Sequence, residues 1–132
     1  MARFMLFMYP NITDDEYAEG PSVEAVEAMT AYNEALTQAG ALLAADGLHG
    51  EASRVSSSGV TDGPFSEAKE LVGGYWIIQA KDREEALEWA KRVPQDGRSF
   101  VEVRQIFEMS DFPEDIQAAA ELSAEPPEQT KA

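Results

Sequence analysis

Two short segments constrain this chain more than any others. Phe4-Met5-Leu6-Phe7-Met8-Tyr9 and Gly74-Tyr75-Trp76-Ile77-Ile78-Gln79-Ala80 carry large apolar residues at odd and even positions alike. A strand sends successive side chains to opposite faces, so a strand of this kind is stable only where both faces are covered. Both segments are therefore expected side by side in the middle of a sheet. Each is followed by a helical pattern. Ser22 is placed as an N-cap before Ala25, Met29, Tyr32, Leu36 and Ala39, which recur at helical spacing until Gly40 supplies the stop. Asp82, with Glu85 three residues on, opens the second helix in the manner of a capping box. Its Ala86, Leu87, Trp89, Ala90 and Val93 share one face, Glu84, Glu85, Glu88, Lys91 and Arg92 take the other, and Pro94 ends it.

Two more strands complete the pattern. Leu42 to Leu48 is short and closes at glycine. Ser99 to Met109 interrupts its apolar residues with Glu102, Arg104 and Gln105, as suits an edge strand with one wet side. Between them, Glu51 to Thr61 reads as a small exposed hairpin around Ser56-Ser57-Ser58-Gly59. Pro10 to Pro21 reads as a polar connection. The order β-α-β, hairpin insert, β-α-β predicts an α+β fold of the ferredoxin-like, split βαβ kind, with a four-stranded antiparallel sheet covered by both helices on one face. The strands are apolar on the other face too, so a second copy of the chain is the simplest cover, making a homodimer.

Composition sets the outer limits. With 132 residues, 44% of them hydrophobic, the chain suits one domain, expected over residues 1–110. Residues 111–132 turn acidic and rich in alanine and proline, a tail in which Pro113 to Leu122 can form a short helix. The absence of cysteine excludes disulfides, thiolate metal sites and a cysteine nucleophile. A formal charge of −15 would repel phosphate backbones, which argues against nucleic-acid binding. The apolar run from Phe4 stops at Pro10, short of a signal core or membrane span. The protein is expected to be cytoplasmic and free of membranes.

Chemistry concentrates in Val60-Thr61-Asp62-Gly63-Pro64-Phe65-Ser66-Glu67-Ala68-Lys69-Glu70-Leu71-Val72-Gly73-Gly74-Tyr75-Trp76-Ile77-Ile78. Asp-Gly-Pro forces a turn, and Gly73-Gly74 lets backbone pass close before the aromatic strand. Asp62 has two roles open to it. It can initiate the turn by accepting from nearby amides, or it can line a cavity as a base or acceptor. His49, the only histidine, can pair with a carboxylate such as Asp62 or Asp46 for proton transfer or lie as a plain surface residue. Gly63, Pro64, Phe65, Lys69, Tyr9 and Tyr75 complete the candidate site as ligand contacts. Lys69 is the cation of the motif, and the two tyrosines stand where rings pack and hydroxyls reach a cavity. No metal-ligand spacing, phosphate-cradling glycine loop or nucleophile elbow occurs, so no cofactor and no metal are expected.

The same stretch resembles the signature of the DGPF group of YCII-related proteins, in which an Asp-Gly-Pro-Phe turn and a Glu-x-Lys-Glu segment lead through a glycine pair into an aromatic strand. The resemblance implies a dimeric α/β barrel, and it is nearly silent about chemistry. Branches of the wider superfamily pair a histidine on the first helix with an aspartate, whereas the Ser22 to Gly40 helix of this chain has none. The resulting expectation is a small homodimeric domain that binds a small molecule or a protein partner near the turn. The alternative is a cofactor-free isomerase or lyase using Asp62 with His49 or a tyrosine.

Overall fold

In the computed structural model, which describes residues 1–63 and 71–126, the chain runs β1 (Ala2–Tyr9), α1 (Asp14–Glu19), α2 (Val23–Gln38), β2 (Leu42–Gly47), β3 (Ser53–Ser56), β4 (Gly59–Asp62), β5 (Gly74–Ala80), α3 (Arg83–Lys91), β6 (Phe100–Gln105) and α4 (Glu114–Ala119). The main sheet has four strands in the order β2-β5-β1-β6, all neighbours antiparallel, while β3 and β4 form a separate hairpin. The two segments that are apolar on both sides are the two central strands, and the polar-interrupted β6 is an edge.

Register explains how both faces are used. Phe4 opposes Ile78 and Leu6 opposes Trp76, whereas Met5 opposes Ile77 and Phe7 opposes Tyr75. The first set is almost entirely out of solvent and forms one cluster with Tyr32 and Leu36 of α2 and with Ala86 and Ala90 of α3. Both helices therefore lie on the same side of the sheet. Each fully buried Leu, Ile or Phe contributes about 1.5–3 kcal/mol of apolar transfer free energy, so this layer dominates stability. The polar tips of its large aromatics are satisfied. Trp76 Nε1 donates to Asn33 Oδ1 at 2.7 Å and the Tyr32 hydroxyl donates to the Trp89 carbonyl at 2.8 Å. Burial pushes the Tyr32 phenol above its ordinary range, with Arg92 opposing the shift. Met5, Phe7, Tyr9 and Tyr75, on the opposite face, remain half-buried.

The caps act largely as the residue types predict. Ser22 Oγ accepts from Ala25 N at 3.1 Å, and Asp82 Oδ1 accepts from Glu85 N at 2.9 Å. The Glu85 carboxylate reaches back to Lys81 N at 3.3 Å, so no reciprocal bond to Asp82 closes a capping box. Gly40, just past α2, has φ of +71°, the left-handed conformation that ends helices at glycine.

Three local readings are corrected. Pro10 to Pro21 contains helix α1. It starts at a complete capping box in which Thr13 Oγ1 accepts from Glu16 N and Glu16 Oε1 accepts from Thr13 N, both at 3.2 Å. Strand β6 is shorter than Ser99 to Met109, running from Phe100 to Gln105, and Met109–Asp111 is a single 3-10 turn at whose start Asp111 Oδ2 accepts from Glu108 N at 2.7 Å. In α2 only Tyr32 and Leu36 are buried, and Ala25 and Ala39 are exposed because α2 meets the sheet through its C-terminal half. No helix among the described residues is long and apolar enough to cross a membrane.

Candidate functional site

The site is built where β1 and β2 end and β5 begins. Gly73 N donates to the Met8 carbonyl at 2.8 Å, and Leu48 N donates to the Gly73 carbonyl at 2.9 Å, which ties the strand ends together through backbone alone. Helix α1 lies against them through Tyr17, whose hydroxyl donates to the carbonyl of Leu48 and also reaches that of Gly73 at 3.3 Å. Burial raises the Tyr17 phenol pKa. The ring fits because two of its neighbours have no side chain. A Cβ at Gly50 would stand 3.0 Å from Tyr17 Cδ1, and one at Gly73 would stand 2.9 Å from Pro10 Cδ and 3.4 Å from Tyr17 Cε2.

A latch holds the other side of α1. Arg98 donates to both Glu16 carboxylate oxygens at 3.1 and 2.9 Å, and Asn11 Nδ2 donates to the Arg98 carbonyl at 3.1 Å. Asp96 Oδ1 accepts from Arg98 N and Ser99 N at 2.8 and 2.9 Å and shapes the turn that presents the guanidinium. The Arg98 bonds, helped by those from Thr13, hold the Glu16 carboxyl down at about 2.

Three cavities meet around these elements. The largest, about 850 Å³, lies between α1, α2 and the loop after β2, with Ile12, Val26, Met29, Leu48 and His49 among its walls. A second of about 210 Å³ adjoins it at the β2–β5 edge and includes Asn33, Asp46, Tyr75 and Trp76. The third, about 630 Å³, lies beneath the hairpin and includes Asp14, Glu51, Ser53, Asp62 and Gly63.

These cavities separate the sequence-derived candidates. Asp62 is the last residue of β4, exposed, and its Oδ1 accepts from Ser53 Oγ across the hairpin at 2.6 Å. Asp62 and Gly63 line the third cavity, whereas His49, exposed in the loop after β2, lines the first. The two cavities share Tyr17, Ala18 and Gly50 as walls. The Tyr75 hydroxyl donates to Asp46 Oδ2 at 3.0 Å, and this bond raises the phenol pKa. Tyr9 stacks on Phe100 with ring centroids 4.7 Å apart and is absent from the walls of all three cavities. Pro64, Phe65 and Lys69 lie outside the described residues. No cluster of three or more His, Asp or Glu side chains suited to a metal ion occurs among the described residues.

Sequence reasoning passes over Tyr17, Glu16 and Arg98. A signal for the first two was present, because Thr13-Asp14-Asp15-Glu16 is a capping-box pattern that announces a helix start. Arg98 carries no such mark, since its partner lies 82 residues away along the chain, and Asp46, weighed as a partner for His49, is bonded instead by Tyr75, 29 residues away.

Compared with known protein families, residues 3–110 match the YCII-related domain. The chain belongs to the YCII-related family. No curated protein matches it.

Proposed function

We propose that this protein is a small-molecule-binding YCII-related domain of the DGPF group, acting as a cytoplasmic homodimer. The observation that carries the reading is the 850 Å³ cavity between α1 and α2, within the range of small-molecule sites and walled mainly by apolar residues, with Glu16, Thr30 and His49 as polar ones. Strand order β2-β5-β1-β6, with both long helices on one face, supports a ferredoxin-like subunit. Met5, Phe7, Tyr9 and Tyr75 on the helix-free face support a second subunit there, as in a dimeric α/β barrel. Light scattering at the 14.4 kDa monomer mass would end the dimer reading.

A cofactor-free proton-transfer enzyme is the second reading. Tyr17, a wall of both cavities, favours it. The Ser53 bond that occupies Asp62 and the separate cavity of His49 weigh against it.

Binding is tested by a thermal-shift screen of neutral and charged fragments against wild type and Val26→Trp. Val26 lines the cavity and is 49% exposed, so tryptophan there fills space without disturbing the core. Fragments that stabilise wild type and not the variant support the cavity; equal responses in both place binding elsewhere and overturn the reading.

A further inference from the structure

We infer that the ligand of this cleft is a neutral molecule whose apolar body carries a hydrogen-bond acceptor, such as a carbonyl oxygen, received by the side-chain amide of Asn33; the inference rests on the cavity reading above. The 850 Å³ and 210 Å³ cavities share Met8, Met29, Gly47 and Gly73 as walls, so they are adjoining chambers of one cleft. The large chamber offers Ile12, Val26, Met29 and Leu48 to an apolar body. Asn33 follows Met29 on α2 by about one helical turn and lines the small chamber. Met8, Met29, Ala45 and Trp76, which wall that chamber with it, all belong to or pack on the helix-side core, so Asn33 faces the cleft from the helix-covered side of the sheet. Asp46 and Tyr75, paired in register at the rim, bond each other on the opposite face.

The amide has a fixed orientation. Trp76 Nε1 can only donate, and it donates to Asn33 Oδ1 at 2.7 Å, which turns Nδ2 away from the indole. Among the described residues Nδ2 has no partner, and no side-chain nitrogen or oxygen closed off from solvent goes unbonded, so the Nδ2 of half-buried Asn33 opens onto the chamber it lines. Other polar groups in the walls are engaged or peripheral. Both Glu16 oxygens hold Arg98, the Tyr17 hydroxyl is donated to backbone carbonyls, and Thr30 and His49 are exposed. Charge then narrows the acceptor. Among the described residues that line the two chambers there is no lysine or arginine, and the charge of −15 repels anions, so a carboxylate or phosphate is poorly matched. An ammonium carries donors only and would set them against those of Nδ2. A neutral acceptor meets neither penalty and gives Nδ2 its partner.

Probes of matched shape test this. Calorimetric affinities are measured for 4-phenylbutan-2-one, 4-phenylbutan-2-amine and 3-phenylpropionate on wild type, Asn33→Ala, Asn33→Asp and Val26→Trp, each first checked for a native circular dichroism spectrum. Asn33→Asp keeps an acceptor for Trp76 Nε1 and loses the donor, so weaker binding to it does not come from a lost indole bond. The ketone should bind wild type most tightly. It should weaken about fivefold in each Asn33 variant, the scale of one part-exposed neutral hydrogen bond, while the amine loses nothing in either. Ketone affinity unchanged in either Asn33 variant, or amine or carboxylate binding wild type as tightly as the ketone, overturns the acceptor assignment and leaves the cavity reading standing. Binding of none of the probes to wild type, or full binding to Val26→Trp, overturns both.

Discussion

The two ends of the helix-covered side of the sheet are built on opposite principles. Under the C-terminal half of α2 and under α3, Phe4, Leu6, Leu36, Trp76 and Ile78 interlock by side-chain volume. At the strand ends under α1, contact is made by glycines, backbone carbonyls and one tyrosine, and cavities remain. A core packed by side chains has little internal space for a ligand, whereas a junction of backbone and rings leaves both space and polar groups. The division of labour follows from where the glycines fall.

The contrast breaks most sharply in the core. Leu36→Ala should cost about 3 kcal/mol, the usual range for a fully buried leucine, read as a lower denaturation midpoint at unchanged slope. Val26→Ala, on the same helix but at the cavity, should cost about 0.5 kcal/mol or less. Equal losses would mean that the cavity wall packs as the core does.

Next in size comes Gly73→Ala. Its Cβ would meet the Pro10 ring at 2.9 Å, so either Pro10 or the strand end must shift, at a cost of about 1–3 kcal/mol. Gly50→Ala, pressing only on the Tyr17 ring, should cost less. A silent Gly73→Ala would contradict the close packing of α1 on the strand ends.

Smaller effects are expected at the hairpin. Asp62→Asn keeps an acceptor for the Ser53 hydroxyl and should stay close to wild type, while Asp62→Ala should lose about 0.5–1 kcal/mol. Both variants matching or exceeding wild-type stability would point instead to an unfavourably placed, functional carboxylate.

The smallest effect is electrostatic. Glu16 has its carboxyl pKa lowered from 4.5 to about 2, chiefly by Arg98, so the latch contributes fully above 4.5 and is lost as pH falls toward 2. The pair is exposed and salt-screened, so the contribution is slight. Denaturation midpoints measured down this pH window should fall more in wild type than in Arg98→Ala. Parallel curves would remove the latch from the account.

Much of the fold was legible because it rests on patterns of short range. The period-2 runs with both faces apolar placed β1 and β5 at the centre, and Ser22 and Asp82 marked two helix starts through single side-chain oxygens. The site was less legible. Asp62 and His49 look like partners in a list of polar residues, yet the hairpin turns one under itself and leaves the other in the loop after β2. The cleft exists because Gly50 and Gly73, distant in sequence, meet the same tyrosine ring, and that meeting is a property of topology. Asp46, weighed from the sequence as a partner for His49, is set by register opposite Tyr75 and accepts from its hydroxyl instead.

The central claim is that the cleft between α1, α2 and the ends of β2 and β5 is where this protein binds a small molecule. Amide chemical-shift mapping with a fragment that stabilises wild type in the thermal-shift screen tests it most directly. The account predicts that the perturbed signals fall on Tyr17, Val26, Met29, Gly47, His49 and Gly73, with the β3–β4 hairpin unaffected. Perturbations confined to Ser53, Asp62 and Gly63 would contradict it and move the site to the other side of Tyr17.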